Sequence, residues 1–409
     1  MVEKIESVII GGGQAGLSLS YYLTQAGREH IILEKSPQVA DAWRNRRWDS
    51  FTLITPNWSF KLPGAEYDGS EPDGFMPKSE IVRRFEQYEH ENHLPVSCST
   101  EVTRVDPMVD HYRYRVFTNN RNYESKNVVI ASGMFQKGKI PAYASQIPQH
   151  IMQIPSDAYR NPQALPPGAV LVVGSAQSGC QIAEELNDAG RKVYLSTGTA
   201  GRFPRRYHGK DGYYWLNLIG FFDRTTAMLE SPKDRFFGSP HSTGKGGGHE
   251  INLHTFYRNG IILLGHVRGY DEGKLDLAPD LKKNLVKSDG FAANVIKQID
   301  EYILKHSLNL PAEKVTILDD AYRAPEIRSL DLLAEDVSAI IWATGYTNDY
   351  SLVQLPLLDS YGFPSTDRGI THYPGLYFLG LQWMNKFKSG FLMGVGESAQ
   401  YLAEVICRE

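Results

Sequence analysis

Two glycine-rich stretches hold the residues of this chain best suited to chemistry, and they stand in register 163 residues apart. Gly11, Gly13 and Gly16, with Gln14 and Ala15 between them, follow the apolar residues Val8, Ile9 and Ile10. Gly174, Ser175, Ala176, Gln177, Ser178 and Gly179 follow Leu171, Val172 and Val173. The first stretch has the spacing G-x-G-x-x-G, and each glycine has a task at a pyrophosphate. The first permits a sharp turn, the second lets the backbone approach the phosphates, and the third lets the next helix pack closely on the strand. That helix then aims unpaired N–H groups and its positive dipole end at the anion. In the second stretch Ala176 stands where the middle glycine belongs, and its methyl group predicts looser binding. One such match is weak evidence. Two, each after an apolar strand and before an amphipathic helix, predict two bound dinucleotides.

The two copies differ where they choose a ligand. Glu34 closes the second strand of the first unit, where its carboxylate can accept from both ribose hydroxyls of an unphosphorylated adenosine. Thr197 occupies the equivalent place in the second unit, followed by Arg202, Arg205 and Arg206, a set suited to a 2′-phosphate. The first site therefore reads as FAD and the second as NADPH. Lys35, Val102 at the start of a strand and Gly133 at the end of another are counted with the first site. A nucleic-acid surface is the rival reading of residues 202–210, but the cluster is short and the chain carries a formal net charge of −4.

These motifs need elements to hold them. At 409 residues and 42% apolar composition the chain is long enough for two cored domains. Apolar patterning predicts a helix over 78–92, strands over 102–105, 112–117 and 127–131, an irregular stretch over 211–248, and a strand region over 261–267. A helix over 290–306, strands over 337–343 and 376–381 and a helix over 396–408 complete the pattern. A proline-rich segment over 141–167 marks a domain boundary. The expected organisation is one domain split in sequence, residues 1–160 and 322–409, that binds FAD, with residues 161–321 inserted as the NADPH domain. Three scattered cysteines, Cys98, Cys180 and Cys407, give no C-x-x-C pair and no metal cluster, and no metal is expected. Cys180 falls in the first turn after Gly179, where packing is favoured over reactivity. No signal peptide, membrane span or nucleic-acid partner is expected, a cytoplasmic protein fits, and a homodimer is left open.

Beyond the glycine motifs, the chain resembles the flavin-containing monooxygenases, which also include Baeyer–Villiger and N-hydroxylating branches. The resemblance rests on Trp43 with Arg44 to Asp49, Thr55-Pro56-Asn57, Phe75-Met76-Pro77-Lys78 and Ala343-Thr344-Gly345-Tyr346. It implies an α/β fold of glutathione-reductase type with two Rossmann-like domains. It also implies NADPH-dependent oxygenation of a small organic molecule by O2, through a flavin C4a peroxide. Transfer to nitrogen or sulfur is preferred and Baeyer–Villiger insertion comes second. Asn57 matches the family asparagine beside the flavin and is the candidate catalytic residue, with a turn-forming role weighed evenly against it. Trp43, Arg44, Trp48 and Gly345 are carried over as cofactor contacts, with plain core packing weighed equally for the two tryptophans. Ser156, Tyr159, Arg160, Asn161 and Pro162 match the family linker, but Pro155 stands at its histidine. That departure keeps a second reading open, an NADPH oxidase or dehydrogenase that transfers no oxygen to a substrate.

Overall fold

Each glycine motif ends a central strand whose neighbours on both sides run parallel to it. In such a strand both faces are covered, so the sequence reads as a continuous apolar run instead of an alternating one. The computed structural model describes residues 2–236, 240–311 and 313–408. The first sheet contains β1 (Val2–Ile10), β2 (His30–Leu33), β3 (Val96–Ser97), β4 (Val102–Pro107), β5 (Tyr114–Thr118) and β6 (Asn122–Ile130). The second contains β7 (Met152–Pro155), β8 (Ala169–Val173), β9 (Val193–Ser196), β10 (Ile262–Leu264) and β11 (Val337–Trp342). A last strand, β12 (Leu376–Phe378), returns to the first sheet.

Across the first sheet the order is β3-β2-β1-β6-β5-β4. One edge of β6 is shared, because β5 pairs with residues 123–125 and β12 takes over at residues 128–130. The second sheet is parallel throughout, in the order β7-β11-β8-β9-β10. Every residue of β8 is buried. The fold is therefore α/β with two dinucleotide-binding units, as the patterning predicts. The second sheet nevertheless reaches from Met152 to Trp342, beyond the expected span of 161–321. Its extra strands come one from each linker and add to one side of β8, β11 against β8 and β7 against β11, and a count of motif spacing does not reveal that pairing.

Helices cover both sheets. They are α1 (Gln14–Gln25), α2 (Asp41–Asn45), α3 (Lys78–Glu91), α4 (Gln177–Asp188), α5 (Gly212–Leu218), α6 (Leu253–Arg258), α7 (Leu281–Lys305) and α8 (Val395–Arg408). Against α1 packs α8, and Arg28 just beyond α1 donates to the carbonyls of Ile406 and Cys407, both at 3.3 Å. Burying side chains such as Leu17 and Leu402 at this contact is worth roughly 1.5–3 kcal/mol each.

Two elements depart from the patterning. Helix α7 begins nine residues before the expected 290, because Leu281, Leu285, Ser288, Ala292, Val295 and Ile299 continue one buried stripe through the exposed Gly290. Helix α5 lies inside the stretch expected to be irregular. Asp211 caps it by accepting from the Tyr213 N–H at 2.8 Å, a local signal that its aromatic sequence hides. Residues 237–239 of that stretch lie outside the described residues.

Candidate functional site at two glycine turns

At the first turn Gly11 has φ +115°, and a Cβ there would sit 2.7 Å from the Ala131 carbonyl oxygen. A Cβ on Gly16 would sit 2.0 Å from the Gly11 oxygen, so this glycine is required for α1 to pack on β1. Gly13 is different, since a Cβ on it would meet nothing within 4 Å. The space in front of it is the cradle a pyrophosphate would fill. Helix α1 starts at Gln14 with no side-chain cap and no acidic residue in its first turn, leaving its N–H donors aimed at that space. The buried Glu34 carboxylate accepts from the Gly12 N–H at 2.7 Å and from the Ser36 N–H at 2.8 Å. Two anchored oxygens hold it over the turn with lone pairs to spare for a ribose.

The far end of the chain completes this site. Gln14 donates through Nε2 to the Gly390 carbonyl at 2.6 Å. Gly380 has φ +86° and abuts Ala15, where an added Cβ would lie 2.5 Å from the alanine methyl. Thr100 donates to the Glu34 carbonyl at 2.8 Å, which sets Val102 beside this corner, while Lys35 points outward and is exposed. Gly133, with φ +78° and open space around it, follows β6 toward the same cleft.

The second turn repeats the geometry. Gly174 has φ +108° and lies against the Ala343 oxygen, and a Cβ on Gly179 would sit 1.8 Å from the Gly174 oxygen. Helix α4 also starts without a side-chain cap or an acidic first turn, here behind Ala176, with Ser178 in its first turn. Ser175 is buried and accepts from the Gly198 N–H at 2.9 Å. Gln177 makes a reciprocal pair with the backbone of Ser242, accepting from its N–H at 3.1 Å and donating to its carbonyl. Gly345, φ +87°, follows β11 and accepts from the Lys139 N–H at 2.8 Å.

The three arginines after Thr197 do not converge. Thr197 is buried and spends its hydroxyl on the Leu264 carbonyl at 2.8 Å. Arg202 lies between two carboxylates, pairing with Glu250 and, at 2.9 Å, with Asp289. Arg205 forms a buried ion pair with Asp211 at 2.9 Å, and both side chains are 3% exposed. Burial holds the Arg205 pKa below its ordinary value and pushes the Asp211 carboxyl up. Arg205 also donates to the Ile54 carbonyl at 2.8 Å and stacks on Phe75, 4.2 Å from the ring centre, so it ties the inserted unit to the first. Arg206 alone of the three is exposed, reaching the Gly247 carbonyl at 3.3 Å.

The remaining carried-over residues are packed or paired within the first unit. Trp43 is half-buried, 6.1 Å from Phe51 and 6.4 Å from Phe85, while Trp48 is buried against Phe51 at 5.1 Å. Arg44 is taken by Glu86 at 2.7 Å. The Asn57 amide is buried and used at both ends, donating to the Glu71 carbonyl at 2.9 Å and accepting from the Met76 N–H at 2.7 Å. Its side chain ties residues 71–76 down.

A family model described as pyridine nucleotide-disulphide oxidoreductase matches residues 8–217. The chain belongs to that family. Among relatives of this oxidoreductase, an uncharacterized CzcO-like oxidoreductase of Geobacillus kaustophilus (strain HTA426) is 33% identical over 409 residues, covering 98% of each chain. A flavin-containing monooxygenase from Stenotrophomonas maltophilia has a similar fold, with TM-score 0.67 at 19% identity over 100% of this chain and 99% of the other. The ornithine N-hydroxylase KtzI of Kutzneria sp. 744, solved with reduced FAD, NADP+ and L-ornithine, gives TM-score 0.63 at 16% identity over 99% of both chains.

Despite the family's description, the three cysteines of this oxidoreductase are all free thiols. Cys180 is fully buried, donates to the Ser175 carbonyl at 3.1 Å and has its pKa pushed up by burial, the packing role favoured from sequence. Pro155 keeps the linker in register. It ends β7 opposite Trp342, its strand lies at the sheet edge where a missing N–H is tolerated, and Ser156 N–H continues to the Trp342 carbonyl at 3.0 Å. Ser156 and Tyr346 meet hydroxyl to hydroxyl at 3.3 Å. Sequence reasoning passed over Arg46 and Arg47, beside Trp43, and the fully buried His241, whose two ring nitrogens have no hydrogen-bond partner. Only the adjacency of two arginines to a tryptophan hinted at the first pair. His241 carries no sequence signal at all.

Proposed function

We propose that this oxidoreductase is a flavoprotein monooxygenase that holds FAD at the first glycine turn and NADPH at the second. Its substrate is a small organic molecule, oxygenated at nitrogen or sulfur in preference to Baeyer–Villiger insertion. The observation that carries this reading is the pair of uncapped helix N-termini at the carboxyl ends of parallel strands in the two sheets, where ligands of such strands bind. The names of the Stenotrophomonas and Kutzneria neighbours support an oxygenase, and the ligands named with KtzI support the cofactor pair.

FAD held there would supply the redox chemistry that links NADPH to O2, with one oxygen atom going to the substrate and the other leaving as water. The chain's own residues bind, orient and exclude water. Glu34 holds a ribose, and the N–H groups opening α1 and α4 hold phosphates. Trp43 and Trp48 wall one side of the cleft, and Asn57 fixes the loop that follows it. Arg206 is the arginine with donors to offer a 2′-phosphate.

The test is a stoichiometry. NADPH added without oxygen should bleach the yellow protein, and oxygen admitted with a panel of amines and sulfides should yield one oxygenated product per NADPH. Full recovery of the electrons as hydrogen peroxide with every compound would favour the second reading, the oxidase, for which Pro155 at the family histidine position is the supporting observation.

A further inference from the structure

Arg47 lies where the carboxyl ends of the two sheets face each other. Its guanidinium carbon is 5.4 Å from the Trp43 ring centre, 5.6 Å from Phe51 and 5.7 Å from Phe135. Phe135 follows β6 of the first sheet and packs at 5.1 Å on Tyr346, which follows β11 of the second. The side chain is half-buried, enclosed by these rings yet still open to solvent on one side. Among the described residues no carboxylate forms an ion pair with it, and its one hydrogen bond runs from Nη1 to the Arg46 carbonyl at 2.7 Å. Asp157 is within electrostatic reach but makes no ion pair, and one of its buried oxygens has no hydrogen-bond partner.

This is an unusual way to leave a cation. A guanidinium has five donors, and withdrawing it from water without an anion is costly. Burial indeed holds the Arg47 pKa below the ordinary arginine value. Arg46 next to it is satisfied by two carbonyls, those of Phe135 at 2.7 Å and Gln136 at 3.0 Å. Arg44 has Glu86. Among the described residues Arg47 alone of the three has neither a carboxylate nor a carbonyl of a distant segment as partner, and it lies among aromatic rings where the two sheets meet. Neither turn supplies a side-chain cation of its own, since both helices open on backbone N–H groups.

We propose that Arg47 is a receptor for a phosphate of a bound dinucleotide, placed at the junction of the two sheets. The inference rests on the function proposed above. The phosphate belongs either to FAD or to NADPH, and the two sources separate experimentally. Two variants are needed. Arg47→Met keeps an apolar stem against the rings and removes the charge, whereas Arg47→Lys keeps the charge and removes the planar fork.

FAD affinity is read on the apoprotein by quenching of flavin fluorescence, and NADP+ affinity on the FAD-loaded protein by calorimetry. Charge-assisted contacts of this kind predict about tenfold or more weaker binding in Arg47→Met, with a smaller loss in Arg47→Lys. Weakened FAD with NADP+ unchanged assigns the contact to FAD, and the reverse assigns it to NADPH. Unchanged affinity for both in Arg47→Met, or Met tolerated better than Lys, overturns the proposal while leaving the function intact. So does a loss of thermal stability shared by Arg47→Met and Asp157→Asn with affinities unchanged, which would make Arg47 the partner of Asp157. A wild type that takes neither dinucleotide overturns both.

Discussion

Glu34, Arg206 and His241 each make a separate prediction. Glu34 accepts from the Gly12 and Ser36 N–H groups, so Glu34→Ala leaves two donors of the turn unpaired and removes the ribose acceptor. Each lost charged contact is worth about 1.5–3 kcal/mol, and FAD should bind the variant at least tenfold more weakly in a fluorescence titration. Of the three arginines, Arg206→Ala should raise the KM for NADPH about tenfold with that for NADH nearly unchanged, because Arg202 and Arg205 are already taken by carboxylates. His241 is pushed down to about 4 by burial, with Arg202 adding to the effect. It is neutral when folded but takes a proton near its ordinary 6.5 when unfolded. Its contribution is therefore present above pH 6.5 and lost as pH falls toward 4, by roughly 3 kcal/mol at the acid end. Chemical denaturation between those pH values should show a shallower acid decline for His241→Leu than for the wild type.

The glycine turns are legible in the sequence because the signals that mark them are local: the end of a strand, a turn and the start of a helix lie within nine residues, from Val8 to Gly16. The same logic predicts that Ala176→Gly, which removes the methyl at the start of α4, tightens NADP+ binding several-fold by calorimetry with little change in FAD. What the sequence hid was pairing at a distance. Arg202 looked free until Glu250 and Asp289 folded onto it, and β7 and β11 looked like parts of the first domain until β11 paired with β8 and β7 with β11. Arg205 is the sharpest case, since its nearest carboxylate sits six residues away, in the cap of a helix that the aromatic pattern concealed. Breaking that buried pair with Arg205→Met should cost about 3–5 kcal/mol of stability in a urea melt, and adding Asp211→Leu should restore much of it.

At the scale of the whole molecule, the first cofactor site draws on both ends of the chain. Residues 380–390 close on Gln14 and Ala15, β12 completes the edge of β6, and α8 covers α1. For a chain emerging from the ribosome this sets an order of events. The partners at residues 380–390 are made after the first glycine turn, on the order of tens of seconds later at ordinary rates of synthesis. Residues 152–342 of the second sheet are complete by then, so the second unit has every strand it needs while the first still lacks β12, residues 380–390 and α8. Nascent chains halted at residue 370 should protect the second sheet from protease yet retain no flavin, however much is supplied, and release of full-length chains should restore flavin retention. Flavin uptake would then wait on residues 376–408, a checkpoint written into the order in which the residues are made.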